Sequence, residues 1–206
     1  MPKPFLQVIS ARVSRGRVGK PVADYLVGAL TGRDTFELEV IDLAEVNLPL
    51  MDEPNHPRVG RYTHDHTKAW SATISRGDAY LIVLPEYNFS FTGPLKNALD
   101  HLSKEWAGKP VALASYGGIS GGLRAAKTMA RELRPDAVIS SSTYPFDTYF
   151  AQRLARLSGA RLIHEVHDLW PLTPIELGGH SPRHPLMAAM AAAASASRRA
   201  DSAWPA

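Results

Sequence analysis

Cysteine is absent from all 206 residues. That excludes a disulfide framework, a thiolate metal site, an iron–sulfur cluster and a cysteine nucleophile. Long apolar runs are missing too: no stretch reaches 18 residues, so no membrane-spanning helix is expected. Met1-Pro-Lys-Pro leads straight into a short apolar run and lacks the shape of a secretory signal, which predicts a cytoplasmic protein with no membrane partner. Charge of either sign is barely in excess, 23 basic against 20 acidic residues, and the basic ones are scattered; no nucleic-acid partner is expected. Neither a G-x-G-x-x-G fingerprint nor a Walker loop occurs, which removes the dinucleotide-fold and triphosphatase readings. Lysine disappears part-way along: all seven precede residue 134.

What is present is an alternation. Phe5–Ser10, residues 36–41, 79–84, 111–115, 137–140 and Arg161–Val166 read as strands. Helical spacing occupies 19–32, 63–76, 95–102, Leu123–Leu133 and 150–157, and the alanine-rich stretch 187–196 is helix-prone. Alternation of this kind predicts an α/β doubly wound parallel sheet of about five strands with helices on both faces, 137–140 being the fifth strand. At this length one domain, or one domain with an appendage, is expected.

In a doubly wound sheet, ligands bind beyond the carboxyl ends of the strands, where strand order reverses. Three loops at such ends carry chemistry. Ser10-Ala-Arg-Val-Ser-Arg-Gly-Arg-Val-Gly19 follows the first strand. A strand-to-helix turn aims free N–H groups and the positive helix end at one spot, which suits a phosphate. Four cations (Arg12, Arg15, Arg17 and Lys20) fall within nine residues with no acid among them. In Pro85-Glu-Tyr-Asn-Phe-Ser-Phe-Thr-Gly-Pro94 the backbone can lay N–H groups along the edge of a flat ring, with Tyr87, Phe89 and Phe91 as apolar surface. Ser115-Tyr-Gly-Gly-Ile-Ser-Gly-Gly122 holds four glycines in six residues, letting a ligand approach the backbone closely.

These loops, in this order, resemble the NADPH-dependent FMN reductase family, which has a flavodoxin-like fold. The resemblance is carried by Ser10-Ala-Arg12 with its basic loop, Pro85-Glu-Tyr-Asn88, Leu95-Lys-Asn-Ala-Leu-Asp100 and Ser115-Tyr-Gly-Gly118 with Gly121-Gly122, over residues 1 to about 133. It implies FMN as cofactor, with its phosphate at Ser10, Arg12, Arg17, Val18 and Gly19. One side of the isoalloxazine would meet Pro85, Glu86, Tyr87 and Asn88, the other Ser115, Tyr116, Gly117 and Gly118. It also implies NADPH as hydride donor, a quinone, azo compound or flavin as small-molecule acceptor, and a homodimer or homotetramer. From residue 134 on, the runs Pro135-Asp-Ala-Val-Ile-Ser-Ser-Ser142, Glu165-Val-His-Asp-Leu-Trp-Pro171 and Glu176-Leu-Gly-Gly179 resemble part of the amino-terminal domain of bacterial family-4 glycosyltransferases. We therefore expect an FMN-binding domain over 1–160 and an extension over 161–206, with a seam near 134.

Two rival chemistries fit the sequence less well. Gly118-Ile-Ser-Gly-Gly122 matches the G-x-S-x-G nucleophile elbow, with Asp147 or Asp168 and His180 or His184 following in hydrolase order. Tyr116-Gly117 separates that serine from the strand and no HGGG-type oxyanion loop precedes it, so the hydrolase ranks second, beside a flavin-binding module without turnover. His164 and His167 lie three apart on a strand and point to opposite faces, and His64 with His66 lack a third ligand in reach, so no metal site is expected. Glu86 reads as a solvated loop carboxylate, and no residue is assigned as a protein acid or nucleophile.

Overall fold

The computed structural model describes residues 2–14, 19–142, 147–166 and 172–201. The chain forms two compact units, Met1–Met129 and Ala130–Ala206.

In the first unit, strands β1 (Phe5–Ser10), β2 (Glu37–Asp42), β3 (Ala79–Pro85) and β4 (Val111–Tyr116) form one parallel sheet in the order β2-β1-β3-β4. The order reverses between β1 and β3, because the chain steps outward to β2 and then returns past β1. Helix α1 (Gly19–Thr31) covers one face, where Val22, Leu26 and Val27 pack on Val8, Leu81, Val83 and Ala114. Alternate residues face the other way. There Gln7 donates from its side chain to the Thr73 carbonyl at 2.7 Å and the Tyr80 hydroxyl donates to the Ile74 carbonyl at 2.9 Å, both on α3 (Asp65–Ser75). The Trp70 indole of α3 in turn donates to Ala98 of α4 (Gly93–Asp100). Helices on both faces explain why β3 is a continuous apolar run: a central parallel strand has no wet side.

The 137–140 strand forms, in the second unit, as β5 (Ala137–Ser142). It pairs in parallel with β6 (Arg161–Val166) in a separate two-stranded ladder, Ile139 opposite Ile163, so the first unit's sheet has four strands among the described residues. Helix α6 (Asp147–Ser158) supplies the crossover that a parallel pair of strands requires. Helix α8 (Pro185–Asp201) packs against α6 and β6. No helix among the described residues is long and apolar enough to cross a membrane.

Candidate functional site

A cleft of about 300 Å³ opens at the carboxyl ends of β1, β3 and β4, the point where strand order reverses. Arg12, Pro85, Glu86, Tyr87, Tyr116, Gly117 and Gly118 line it. All three loops singled out by the sequence contribute.

The first wall begins with Ser10, buried at the end of β1 with its hydroxyl unpartnered. Arg12 follows; its Nε donates to Ser14 Oγ at 2.8 Å and its guanidinium lies 5.6 Å from the centre of the Tyr87 ring. Gly19 opens α1 directly beneath the Tyr116 phenol: a Cβ there would collide with the hydroxyl oxygen. That phenol is itself buried with no hydrogen-bond partner. Burial pushes its pKa up, and the Arg12 charge pulls it back. Arg17 and Val18 lie outside the described residues. Lys20 is not free for an anion, because it is paired to Asp24 one turn along α1 at 2.9 Å.

The second wall is a tight reversal. Tyr87 and Ser90 exchange two backbone hydrogen bonds of 2.9 Å, with Asn88 (φ 45°) and Phe89 (φ 69°) between them, both left-handed. Such a turn suits asparagine but not an aromatic residue, whose Cβ meets the following carbonyl at a cost of about 1–2 kcal/mol. The Glu86 N–H is spent on the Tyr116 carbonyl at 2.8 Å and the Tyr87 N–H on Ser90. Of the N–H groups expected along this edge, those of Asn88 and Phe89 make no hydrogen bond among the described residues.

The third wall is built by its glycines. Gly122 sits at φ 91°, and a Cβ there would meet Tyr116 N at 2.5 Å; a Cβ on Gly117 would meet Glu86 Cβ at 2.9 Å. Gly118 faces open space. Ser115, at the end of β4, pairs in register with Leu84.

Glu86 departs from its expected role. Its carboxylate accepts the Ser120 hydroxyl and the Arg124 backbone N–H (2.9 Å) at the start of α5 (Leu123–Leu133), so it is an anchored cap rather than a solvated side chain. The Ser120 hydrogen bond holds its pKa below the usual carboxylate range, against the pull of desolvation. A nucleophile elbow needs the serine to donate to an imidazole, and Ser120 donates to a carboxylate instead. Sequence reasoning also passed over Arg124, whose guanidinium lies 4.2 Å over the Phe89 ring.

The remaining motifs fall elsewhere. Asn97 clamps the loop after β2, donating to the Pro49 carbonyl and accepting from Met51 N–H. His64 and His66 stack at 5.2 Å, with Asp52 3.1 Å from His66 Nε2, yet no group among the described residues is able to hold a metal. Residues 167–171, with His167, Asp168 and Trp170, lie outside the described residues.

The sequence pattern of the NADPH-dependent FMN reductases matches residues 6–151. This chain belongs to that family. The match runs beyond residue 133 through β5 and into α6. The chain is 43% identical over 122 residues to an NAD(P)H-dependent FMN reductase of Schizosaccharomyces pombe, covering 58% of this chain and 60% of the relative. It is 39% identical over 134 residues to one of a Nectria species, covering 62% and 66%. The chain thus spans under two thirds of the length of the curated relatives it matches. A flavoenzyme NAD(P)H:(acceptor) oxidoreductase from Paracoccus denitrificans shares the fold, with TM-score 0.51 and 20% identity over 76% of this chain and 96% of that one. Membership of the family places the flavodoxin-like architecture on the four-stranded sheet described above.

Proposed function

We propose that this chain is an FMN-dependent oxidoreductase that takes electrons from NAD(P)H and delivers them to a small acceptor such as a quinone, an azo compound or free flavin. The observation that carries the reading is the cleft beyond the carboxyl ends of β1, β3 and β4, where strand order reverses. One wall offers a buried hydroxyl without a partner and an arginine; the opposite walls offer unbonded N–H groups and glycines packed too tightly for a side chain. A phosphate at one end and a flat, hydrogen-bonding ring at the other fit that set. FMN, when bound, supplies the two-electron chemistry.

The chain's own residues then have defined work. Ser10, Arg12 and Gly19, with Arg17 and Val18, hold the phosphate through hydroxyl, guanidinium and helix-start N–H groups. Pro85, Glu86, Tyr87 and Asn88 border one side of the ring, and Ser115, Tyr116, Gly117 and Gly118 the other. Glu86 acts through its bond to Ser120, fixing the glycine loop against the aromatic turn. No side chain serves as a nucleophile. The FMN-binding part is read as residues 1–160 with a seam near 134; the glycosyltransferase-like extension has no part in this chemistry. NAD(P)H as reductant fits a cytoplasmic setting, and the family fits a homodimer or homotetramer.

The test is the visible spectrum of the purified full chain, followed by NADPH under nitrogen. A yellow protein that bleaches supports the reductase. One that stays yellow is a flavin-binding module, and a colourless protein that takes up no added FMN overturns the reading.

A further inference from the structure

Arg124 has no place in the chemistry above. It stands in the first turn of α5 with its guanidinium carbon over the Phe89 ring, 4.2 Å from the ring centre, and its guanidinium makes no ion pair or hydrogen bond among the described residues. Phe89 is 67% exposed and held at φ 69°. An aromatic residue keeps that conformation only where its surroundings impose it. Here the paired bonds between Tyr87 and Ser90 do so. The result is a ring standing in solvent with a cation held over one face.

Both partners are tied to the cleft. Tyr87, two residues before Phe89, lines it; Glu86 lines it and accepts the Arg124 N–H. The guanidinium is therefore held at the rim, and its N–H groups make no hydrogen bond among the described residues. Forked N–H groups of this kind match two oxygens of a phosphate, and stacking on a ring limits the freedom lost when they bind one. Lys127, three residues along the helix, adds a second positive charge on the same side. Glu86 already feels the Arg124 charge, but its carboxylate oxygens are taken by Ser120 and the helix start, and the guanidinium makes no ion pair with it.

From this geometry we infer that Arg124, laid on Phe89, binds the 2′-phosphate of NADPH and so makes the chain prefer NADPH to NADH. The inference rests on the proposed use of a nicotinamide nucleotide at this cleft: with the nicotinamide inside, the adenosine half has to leave across the rim. A phosphate monoester near neutral pH carries more charge than any one phosphate of the bridging diphosphate, so it is the stronger claimant for an unpaired guanidinium.

The experiment compares the full chain with Arg124→Ala and Arg124→Lys. Calorimetric titration with 2′,5′-ADP and with 5′-AMP reads the 2′-phosphate apart from any turnover. The full chain should prefer 2′,5′-ADP, and Arg124→Ala should lose about 10- to 100-fold of that preference, the range for a charge-assisted hydrogen bond. Arg124→Lys, which keeps the charge but not the fork, should recover part of it. The NADPH-to-NADH ratio of kcat/KM should fall by a similar factor in Arg124→Ala. Equal losses for both nucleotides, or an unchanged preference, overturn the inference. A chain that oxidises neither nucleotide yet shows the 2′-phosphate discrimination keeps the role of Arg124 and overturns the reductase reading. One that oxidises both with an unchanged ratio does the reverse.

Discussion

In the first unit β1 and β3 each have a strand on either side, whereas β5 and β6 in the second have only each other. The consequence is visible in burial. Val8, Ile82, Val83 and Leu84 are at most 1% exposed, while Ile139 and its register partner Ile163 are 67% and 48% exposed. The second unit buries alanines and methionines on its helices instead: Ala151 and Ala155 of α6, and Met187, Met190 and Ala193 of α8. The strands differ in composition to match: β3 reads Ala-Tyr-Leu-Ile-Val-Leu-Pro, whereas β5 is half serine and β6 carries Arg161, His164 and Glu165. The number of neighbouring strands and covered faces decides what an isoleucine contributes.

The sharpest way to break that contrast is to truncate one isoleucine in each region. Ile82→Ala should destabilise by about 2–5 kcal/mol, the range for a buried aliphatic residue that leaves a cavity. Ile139→Ala should stay within about 1 kcal/mol, because most of its surface is already wet. Urea unfolding midpoints read both, and comparable losses would show that the Ile139 face is covered in solution.

Within the first unit the contrast runs between the cleft and the far side of the same helix. Gly19→Ala drives a methyl group into the Tyr116 hydroxyl. FMN affinity should drop about tenfold, since either the phenol or the start of α1 must move; fluorescence quenching of added FMN measures it. Gly28, also on α1, has nothing within 4 Å of an added Cβ. Gly28→Ala should raise stability by about 0.5–1 kcal/mol through helix propensity, with FMN affinity unchanged. A thermal melt that falls instead would mean that this exposed face of α1 is occupied.

Glu53, in the loop between β2 and α3, contributes to a pH dependence of stability. Burial alone would raise the Glu53 carboxyl, but the N–H groups of Thr63 and His64, at 2.8 and 2.9 Å, outweigh it and bring it from the ordinary 4.5 to about 2. A carboxyl that is more acidic when folded stabilises fully above about pH 4.5 and loses that contribution as pH falls towards 2. Glu53→Gln should therefore lie below the parent in melting temperature at neutral pH and converge with it in acid. A gap that stays constant down to pH 2 would remove Glu53 from the acid response.

The alternation of strands and helices was legible residue by residue, because the signal is local. The apolar run 79–84 cannot be a half-wet strand, and Gly19, Gly117 and Gly122 mark places where a backbone comes too close for a side chain. The three loops could also be placed together, since parallel topology sends every strand's carboxyl end to one edge of the sheet. The partner of β5 was not legible. Nothing in Ala137–Ser142 names β6 as its neighbour, because that pairing joins residues far apart in sequence. Glu86 was misjudged for the same reason. Its neighbours in sequence are loop residues, while the groups that hold it, Ser120 and the N–H of Arg124, lie 34 and 38 residues away. Periodicity and turn chemistry are written in adjacent residues and survive without a fold. A carboxylate's partners, a strand's neighbour and the unpaired state of the Arg124 guanidinium exist only once the chain has brought distant segments together.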